Sequence, residues 1–142
     1  MPDMPSELAI ERAREAVGLA GEIPGRAAHV ARLDRPGSGY YLVWFGAEDA
    51  AVAVAAVDPA GGEVLSHARL PGAGSHLVVT AEEAIRRAGE TNAGTPLLVW
   101  RPCRASLSML SPFWEVTTAR GAVYVDQRGR VWRVLEAGGP GG

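Results

Sequence analysis

The feature that most constrains this fold is an order of elements that occurs twice along the chain. Ala9-Ile10-Glu11-Arg12-Ala13, in a helical segment near the start, matches Ala84-Ile85-Arg86-Arg87-Ala88 in a second helical segment. Each is followed by an apolar strand, a loop and a strand that carries tryptophan. Self-similarity of this kind indicates two copies of one supersecondary unit. A single continuous fold is the alternative, because short matches also arise by chance in an alanine-rich chain.

The first half predicts one helix followed by strands. Ser6 is a candidate N-cap, and Ala9, Ala13 and Val17 follow it at helical spacing, which predicts a helix over 6–18. Alternating or β-branched segments bounded by glycine, proline and aspartate then predict strands. These strands are expected over 27–33, 40–45, 51–57 and 63–67.

The second half repeats this order after a stretch rich in glycine and proline. Thr80 and Glu83 stand three residues apart, as in a capping box that opens a helix. We therefore predict an α+β fold of two helix-plus-antiparallel-meander repeats, with the helices packed on the sheet. The expected divisions are a first α-β-β-β repeat (6–70), a connector (71–79), a second α-β-β-β repeat (80–135) and a flexible glycine-rich tail (136–142).

Both halves end in a valine-aspartate turn that contains glycine. The turn between Val57 and Val64 aligns with the one between Val125 and Val131, which is one residue shorter. The order of a helix, a strand, a hairpin and this closing turn resembles that of the PepSY domain, whose fold is cystatin-like. The resemblance implies a non-enzymatic protein that binds or inhibits a partner protein. The segment Trp100-Arg101-Pro102-Cys103-Arg104 has no place in the family's pattern.

Composition narrows the possible partners and locations. The 142 residues carry a formal net charge of −2, and all 14 basic residues are arginine. General nucleic-acid binding is therefore not expected. No stretch approaches the roughly 18–20 apolar residues that span a bilayer, so we expect no membrane span. The acidic N-terminus does not resemble a signal peptide, which predicts a cytoplasmic protein, although a chain trimmed of its leader would look the same.

Chemically reactive residues are few and scattered. His29, His67, His76 and Cys103 lack the close spacing of a zinc motif, and no phosphate-binding loop is present, so we predict neither a metal nor a cofactor. Cys103 is expected to be an inert thiol. Asp58 and Asp126 occupy turns, where a carboxylate accepts local backbone N–H bonds. No catalytic residue is predicted; an enzyme is less expected than a binding protein, but the question stays open.

The strongest binding candidates lie in the second half. Trp100, Arg101 and Arg104 surround a proline that ends a strand or marks a sheet edge, and Trp114 follows a loop. Tryptophan and arginine dominate interface hot spots, which predicts a protein-binding surface. Alternatively, the tryptophans fill the core. A second hypothesis is a small-molecule-binding protein or an enzyme, with a helix–sheet pocket lined by Tyr40, Tyr41 or Trp114. A third hypothesis is a homo-oligomer in which open strand edges pair between chains.

Overall fold

The computed structural model describes residues 4–47, 50–70, 72, 79–89, 94–104 and 106–135. Contacts along the backbone divide the chain into two units. One comprises 1–30 with 38–76, and the other comprises 31–37 with 77–142. Most of the predicted connector 71–79 and all of the predicted tail 136–142 lie outside the described residues.

Helix α1 (Ser6–Val17) forms because its small apolar residues recur on one face. Ala9, Ala13 and Val17 are buried, and α1 packs on three strands of its unit. Gly18 ends the helix in the left-handed conformation at φ 69°, with its N–H donating to Arg14 O. The predicted N-cap was wrong. Ser6 is the first helical residue, because Pro5 occupies the N-cap position in extended geometry (φ −64°, ψ 151°) and its ring supplies no side-chain cap.

Four strands follow α1: β1 (Gly25–Arg32), β2 (Gly39–Ala47), β3 (Ala50–Val57) and β4 (Val64–Arg69). All belong to the first unit except the last two residues of β1, which belong to the second. Strand β3 pairs antiparallel with both β2 and β4. Small side chains on β3 let α1 approach the sheet closely. The core cluster consists of Ala9, Ala13, Val17, Val43, Phe45, Ala53, Ala55 and Val57.

The second unit contains helix α2 (Ala81–Ala88) and strands β5 (Leu97–Trp100), β6 (Phe113–Thr118), β7 (Gly121–Val125) and β8 (Val131–Trp132). Thr80 Oγ1 accepts a hydrogen bond from Glu83 N at 3.1 Å, which confirms the predicted cap. Helix α2 packs on β6 and β7, where Ala84, Val116 and Val125 are buried together. Strands β5 to β8 pair antiparallel in sequence order.

The strands form one mixed sheet in the order β4-β3-β2-β1-β5-β6-β7-β8, so the α+β class is confirmed. Strands β1 and β5 are parallel, with Ala31 opposite Val99 and Arg32 opposite Trp100, all within the second unit. Four strands follow each helix, as expected from the four strand segments of the first half, so each unit has one strand more than the α-β-β-β division of the chain. Neither helix in the described part of the chain is long and apolar enough to cross a membrane.

Candidate functional site

Trp100 is buried at the end of β5. Its side chain is only 5% exposed, and the Arg32 guanidinium lies 5.1 Å from its ring centroid. Asp34 holds Arg32 there through two hydrogen bonds of 3.0 and 2.8 Å. The bond from Arg32 lowers the pKa of the Asp34 carboxyl, which keeps this ion pair charged. Trp100 therefore packs in the second unit and offers little surface to a partner.

Trp114 anchors the start of helix α2. Its Nε1 donates to the carbonyl oxygen of Val79 at 2.7 Å, immediately before the cap of that helix. Gln127 holds the same residue, because its Oε1 accepts from Val79 N at 3.1 Å. The Trp114 ring packs against the cluster beneath α2. These contacts assign it a structural role, as in the alternative in which tryptophans fill the core.

Arg101 and Arg104 line two different cavities. Arg104 is exposed beside a cavity of about 420 Å³ that is also lined by Leu107, by three serines and by the turn around Asp126. Arg101 is half-buried and lines a cavity of about 360 Å³, here called the Arg101 cavity. Its walls are Leu33, Arg101, Tyr124, Arg133, Val134 and Leu135. The predicted binding surface is therefore divided, and Arg101 is the more buried of its two arginines.

The guanidinium of Arg101 is incompletely paired. Its Nε is buried and has no hydrogen-bond partner among the described residues. The ion pairs within the described part of the chain join Arg32 to Asp34 and Glu83 to the two arginines of α2; they include neither Arg101 nor Arg133. A buried donor without an acceptor costs roughly 1–3 kcal/mol, and more when it is charged. The side chain also lines the cavity, where its guanidinium charge is available to an anionic acceptor.

Tyr124 supplies a further donor at the same opening. Val123 and Val125, on either side of it in β7, face α2, so the Tyr124 side chain points to the opposite face of the sheet. Burial raises the pKa of the Tyr124 phenol above its ordinary value, and the Glu115 carboxylate raises it further. The phenol therefore keeps its proton at neutral pH and can donate a hydrogen bond.

The lining of the Arg101 cavity combines hydrogen-bond donors with aliphatic surface. Two guanidinium groups and a phenol offer donors, while the other three walls are aliphatic. The six lining residues include no histidine, cysteine or carboxylate that could serve as base or nucleophile. Donors beside aliphatic surface are chemically suited to an anion that carries apolar surface.

The other reactive residues are placed elsewhere. Cys103 is buried, and its Sγ donates to Ser106 O at 3.7 Å. The ring of His29 meets that of Tyr41 edge-on at 6.0 Å, and the Tyr41 hydroxyl donates to Met4 O. His76 lies outside the described residues. Within the described ranges, no group of three or more histidine, cysteine, aspartate and glutamate side chains could hold a metal ion.

Comparisons with known proteins give one structural similarity. No protein-family model matches the chain, and no curated protein sequence does. Among solved structures, it is similar to a putative lipoprotein from Clostridium difficile 630, with 15% sequence identity and a TM-score of 0.36 over 94% of this chain and 93% of that chain. The function of the site is therefore inferred from its own side chains.

Sequence reasoning identified Arg101 but missed Tyr124 and Arg133. Tyr124 lies in an ordinary apolar strand, and its alternation with Val123 and Val125 predicts only that it faces away from them. Arg133 follows the last strand without any motif. The pairing of β5 with β6, across the long loop between them, brings these side chains to Arg101, and that pairing has no short-range signal. Tyr40, a candidate pocket residue, is fully buried in the first unit.

Proposed function

We propose that the chain is a non-catalytic protein-binding module, built from two copies of a PepSY-like unit, whose binding surface centres on the Arg101 cavity. The observation that carries this proposal is the side chain of Arg101, which lines an open cavity and has no partner for its buried Nε among the described residues. A guanidinium that lines a cavity and has no carboxylate partner can pair with an acceptor that a partner supplies. An inhibitory role, which the PepSY resemblance implies, is one form of such binding.

Matching aspartate turns support the duplication. Gly62 N donates to Asp58 O at 2.8 Å, and Gly129 N donates to Asp126 O at 3.1 Å. Both glycines have positive φ, 75° and 84°. In each unit this glycine lies beside an arginine of the preceding helix. A Cβ added to Gly62 would lie 3.5 Å from Arg12 Nε, and a Cβ added to Gly129 would lie 3.1 Å from Arg87 Cζ.

Those two arginines occupy matching positions in the Ala-Ile-x-Arg-Ala segments, Arg12 in the first and Arg87 in the second. The helix face, the turn and their contact therefore correspond in both units. Chance matches between short alanine-rich segments do not account for a shared contact between two separate elements. This correspondence supports two copies of one unit.

Replacing either turn glycine with alanine is expected to lower the free energy of unfolding by about 1–2 kcal/mol, because alanine is strained in the left-handed region. Urea unfolding of Gly62→Ala and Gly129→Ala would measure this. Gly21→Ala is the matched control, since its added Cβ has nothing within 4 Å and its φ is not positive. A loss in only one of the two variants would contradict the equivalence of the turns.

The face of β5 to β8 opposite α2 extends the binding surface beyond the cavity. Cross-strand pairs align Leu97 with Glu115, Glu115 with Tyr124, and Tyr124 with Trp132. Leu97 is 59% exposed, and Val134 at the cavity rim is 67% exposed. Exposed aliphatic side chains beside aromatic rings and arginines are typical of protein interfaces. A partner segment with apolar and acidic groups fits this surface.

A second candidate function is small-molecule binding. A cavity of about 400 Å³ lies between the end of α2, at Ala88 and Gly89, and the β6–β7 hairpin, at Arg120 and Ala122. This is the type of helix–sheet pocket that the alternative hypothesis requires. Its volume falls at the lower end of the range for ligand pockets, roughly 300–1,000 Å³.

Selection of displayed peptides on the immobilised full chain tests the proposal. We expect peptides whose binding is weakened at least about tenfold by Arg101→Ala, the effect of losing one or more charge-assisted hydrogen bonds. Arg104→Ala, at the other cavity, is the matched control and should bind normally. Ala122→Trp fills the helix–sheet cavity and should also bind normally. Recovery of no peptide, or of peptides indifferent to Arg101, would overturn the proposal.

A further inference from the structure

We infer that the Arg101 cavity receives the C-terminal carboxylate of a partner chain that ends in an aliphatic residue. This inference rests on the proposed function and specifies the group that the site recognises. It follows from three properties of the cavity: the geometry of its donors, its local charge and its aliphatic walls.

The donors suit a planar acceptor. A guanidinium presents its N–H groups as a rigid fork, which matches the two oxygens of a carboxylate. Arg101 lacks a described partner at Nε, and Arg133 and the protonated phenol of Tyr124 line the same opening. A carboxylate could accept from Arg101 through one edge and still have lone pairs for the other donors.

The local charge matches a monoanion. Arg101 and Arg133 bring two positive charges, and the Glu115 carboxylate, opposite Tyr124 on the neighbouring strand, brings one negative charge. The surplus is one positive charge. A doubly charged phosphate would leave one negative charge unbalanced beside Glu115 and would lose more hydration on entering a half-apolar cavity.

The aliphatic walls match the remainder of the ligand. Leu33, Val134 and Leu135 form half of the lining, and Leu135 is only 6% exposed. An aliphatic side chain placed there would remove apolar surface of both molecules from water. A C-terminal residue carries its carboxylate and side chain on the same Cα, so both could enter a cavity of about 360 Å³ together.

Titration of the ¹⁵N-labelled full chain with N-acetyl-L-leucine, followed by NMR, tests the inference. We expect the signals of Arg101 Nε–H and of the Tyr124 amide to shift with saturation. N-acetyl-L-leucinamide, which lacks the charge, and sodium acetate, which lacks the aliphatic group, should each bind at least about tenfold more weakly. Equal or tighter binding of the amide, of acetate or of inorganic phosphate would overturn the inference.

Variants assign the effect to the cavity. Arg101→Lys keeps the charge but removes the fork and Nε, so it should weaken N-acetyl-L-leucine binding about tenfold, while Arg104→Ala should not change it. Unchanged spectra away from the cavity would show that both variants fold. Binding by Arg101→Lys at the original strength would overturn the inference.

The displayed peptides separate failure of this inference from failure of the proposed function. Selected peptides that require Arg101 and lose at least about tenfold in affinity on C-terminal amidation support both. Peptides that require Arg101 but bind equally well as amides leave the binding module intact and overturn the C-terminal inference alone. Recovery of no Arg101-dependent peptide overturns both.

Discussion

Phe45→Ala is expected to lower the free energy of unfolding by about 3–5 kcal/mol, the usual cost of deleting a buried phenylalanine ring. The Phe45 side chain is fully buried in the cluster between α1 and the sheet. Its ring lies so close to Gly25 that a Cβ there would be 2.7 Å from Phe45 Cε1. The Arg14 guanidinium lies over the ring, 5.1 Å from its centroid. Alanine would lose all of these contacts and leave a cavity.

Urea unfolding followed by circular dichroism would measure the loss. Phe45→Leu fills much of the same volume and should cost less than Phe45→Ala. Leu65→Ala is a control for hydrophobic truncation at the surface, since Leu65 is 44% exposed on β4. A loss of less than about 1 kcal/mol in Phe45→Ala would contradict the assignment of this ring to the core.

The elements that sequence reasoning located best are those with a local signal. Helix α1 ends within one residue of the prediction, because the apolar spacing stops where Gly18 permits a left-handed residue. Strand β3 ends at Val57, where Asp58 begins a turn and accepts from Ala60 N. In each case, residues within a few positions determine the backbone angles.

The parallel pairing of β1 with β5 could not be predicted in this way. Ala31 and Val99 lie opposite each other, and all of the second helix lies between them in sequence. Neither strand carries a residue type that distinguishes a parallel partner from an antiparallel one. The sheet order depends on how the apolar faces pack, which is a property of the whole chain.

The accessibility of the candidate site residues also could not be predicted from local sequence. Residue type alone indicated that Trp100 and Arg101 were comparable binding residues. Arg32, distant in sequence, lies over the Trp100 ring, so that tryptophan packs inside while the next residue lines a cavity. Which member of a tryptophan-arginine pair is accessible depends on such long-range contacts.

Asp126→Ala is expected to cost about 3 kcal/mol, since a buried donor that loses its acceptor costs roughly 1–3 kcal/mol and this carboxylate serves three donors. Its Oδ1 accepts from Arg128 N at 2.9 Å and Arg130 N at 3.0 Å, and its Oδ2 accepts from Trp132 Nε1 at 2.9 Å. The side chain therefore closes the turn and ties strand β8 to it. These bonds confirm the predicted role of the aspartate as a turn acceptor.

The corresponding aspartate of the first unit provides a matched control. Asp58 accepts one local side-chain bond, from Ala60 N at 3.0 Å, so Asp58→Ala should cost only about 0.5–1.5 kcal/mol. The loss of unfolding free energy in Asp126→Asn should lie between the losses of the two alanine variants. The asparagine amide keeps an oxygen that accepts from the turn, but its NH₂ group cannot accept from Trp132 Nε1. Urea unfolding followed by tryptophan fluorescence would rank the three variants. Equal losses for Asp58→Ala and Asp126→Ala would show that the two additional bonds of Asp126, from Arg130 N and Trp132 Nε1, contribute nothing. The difference expected here instead means that the second turn gained a structural role, positioning β8 and hence Arg133 beside the Arg101 cavity.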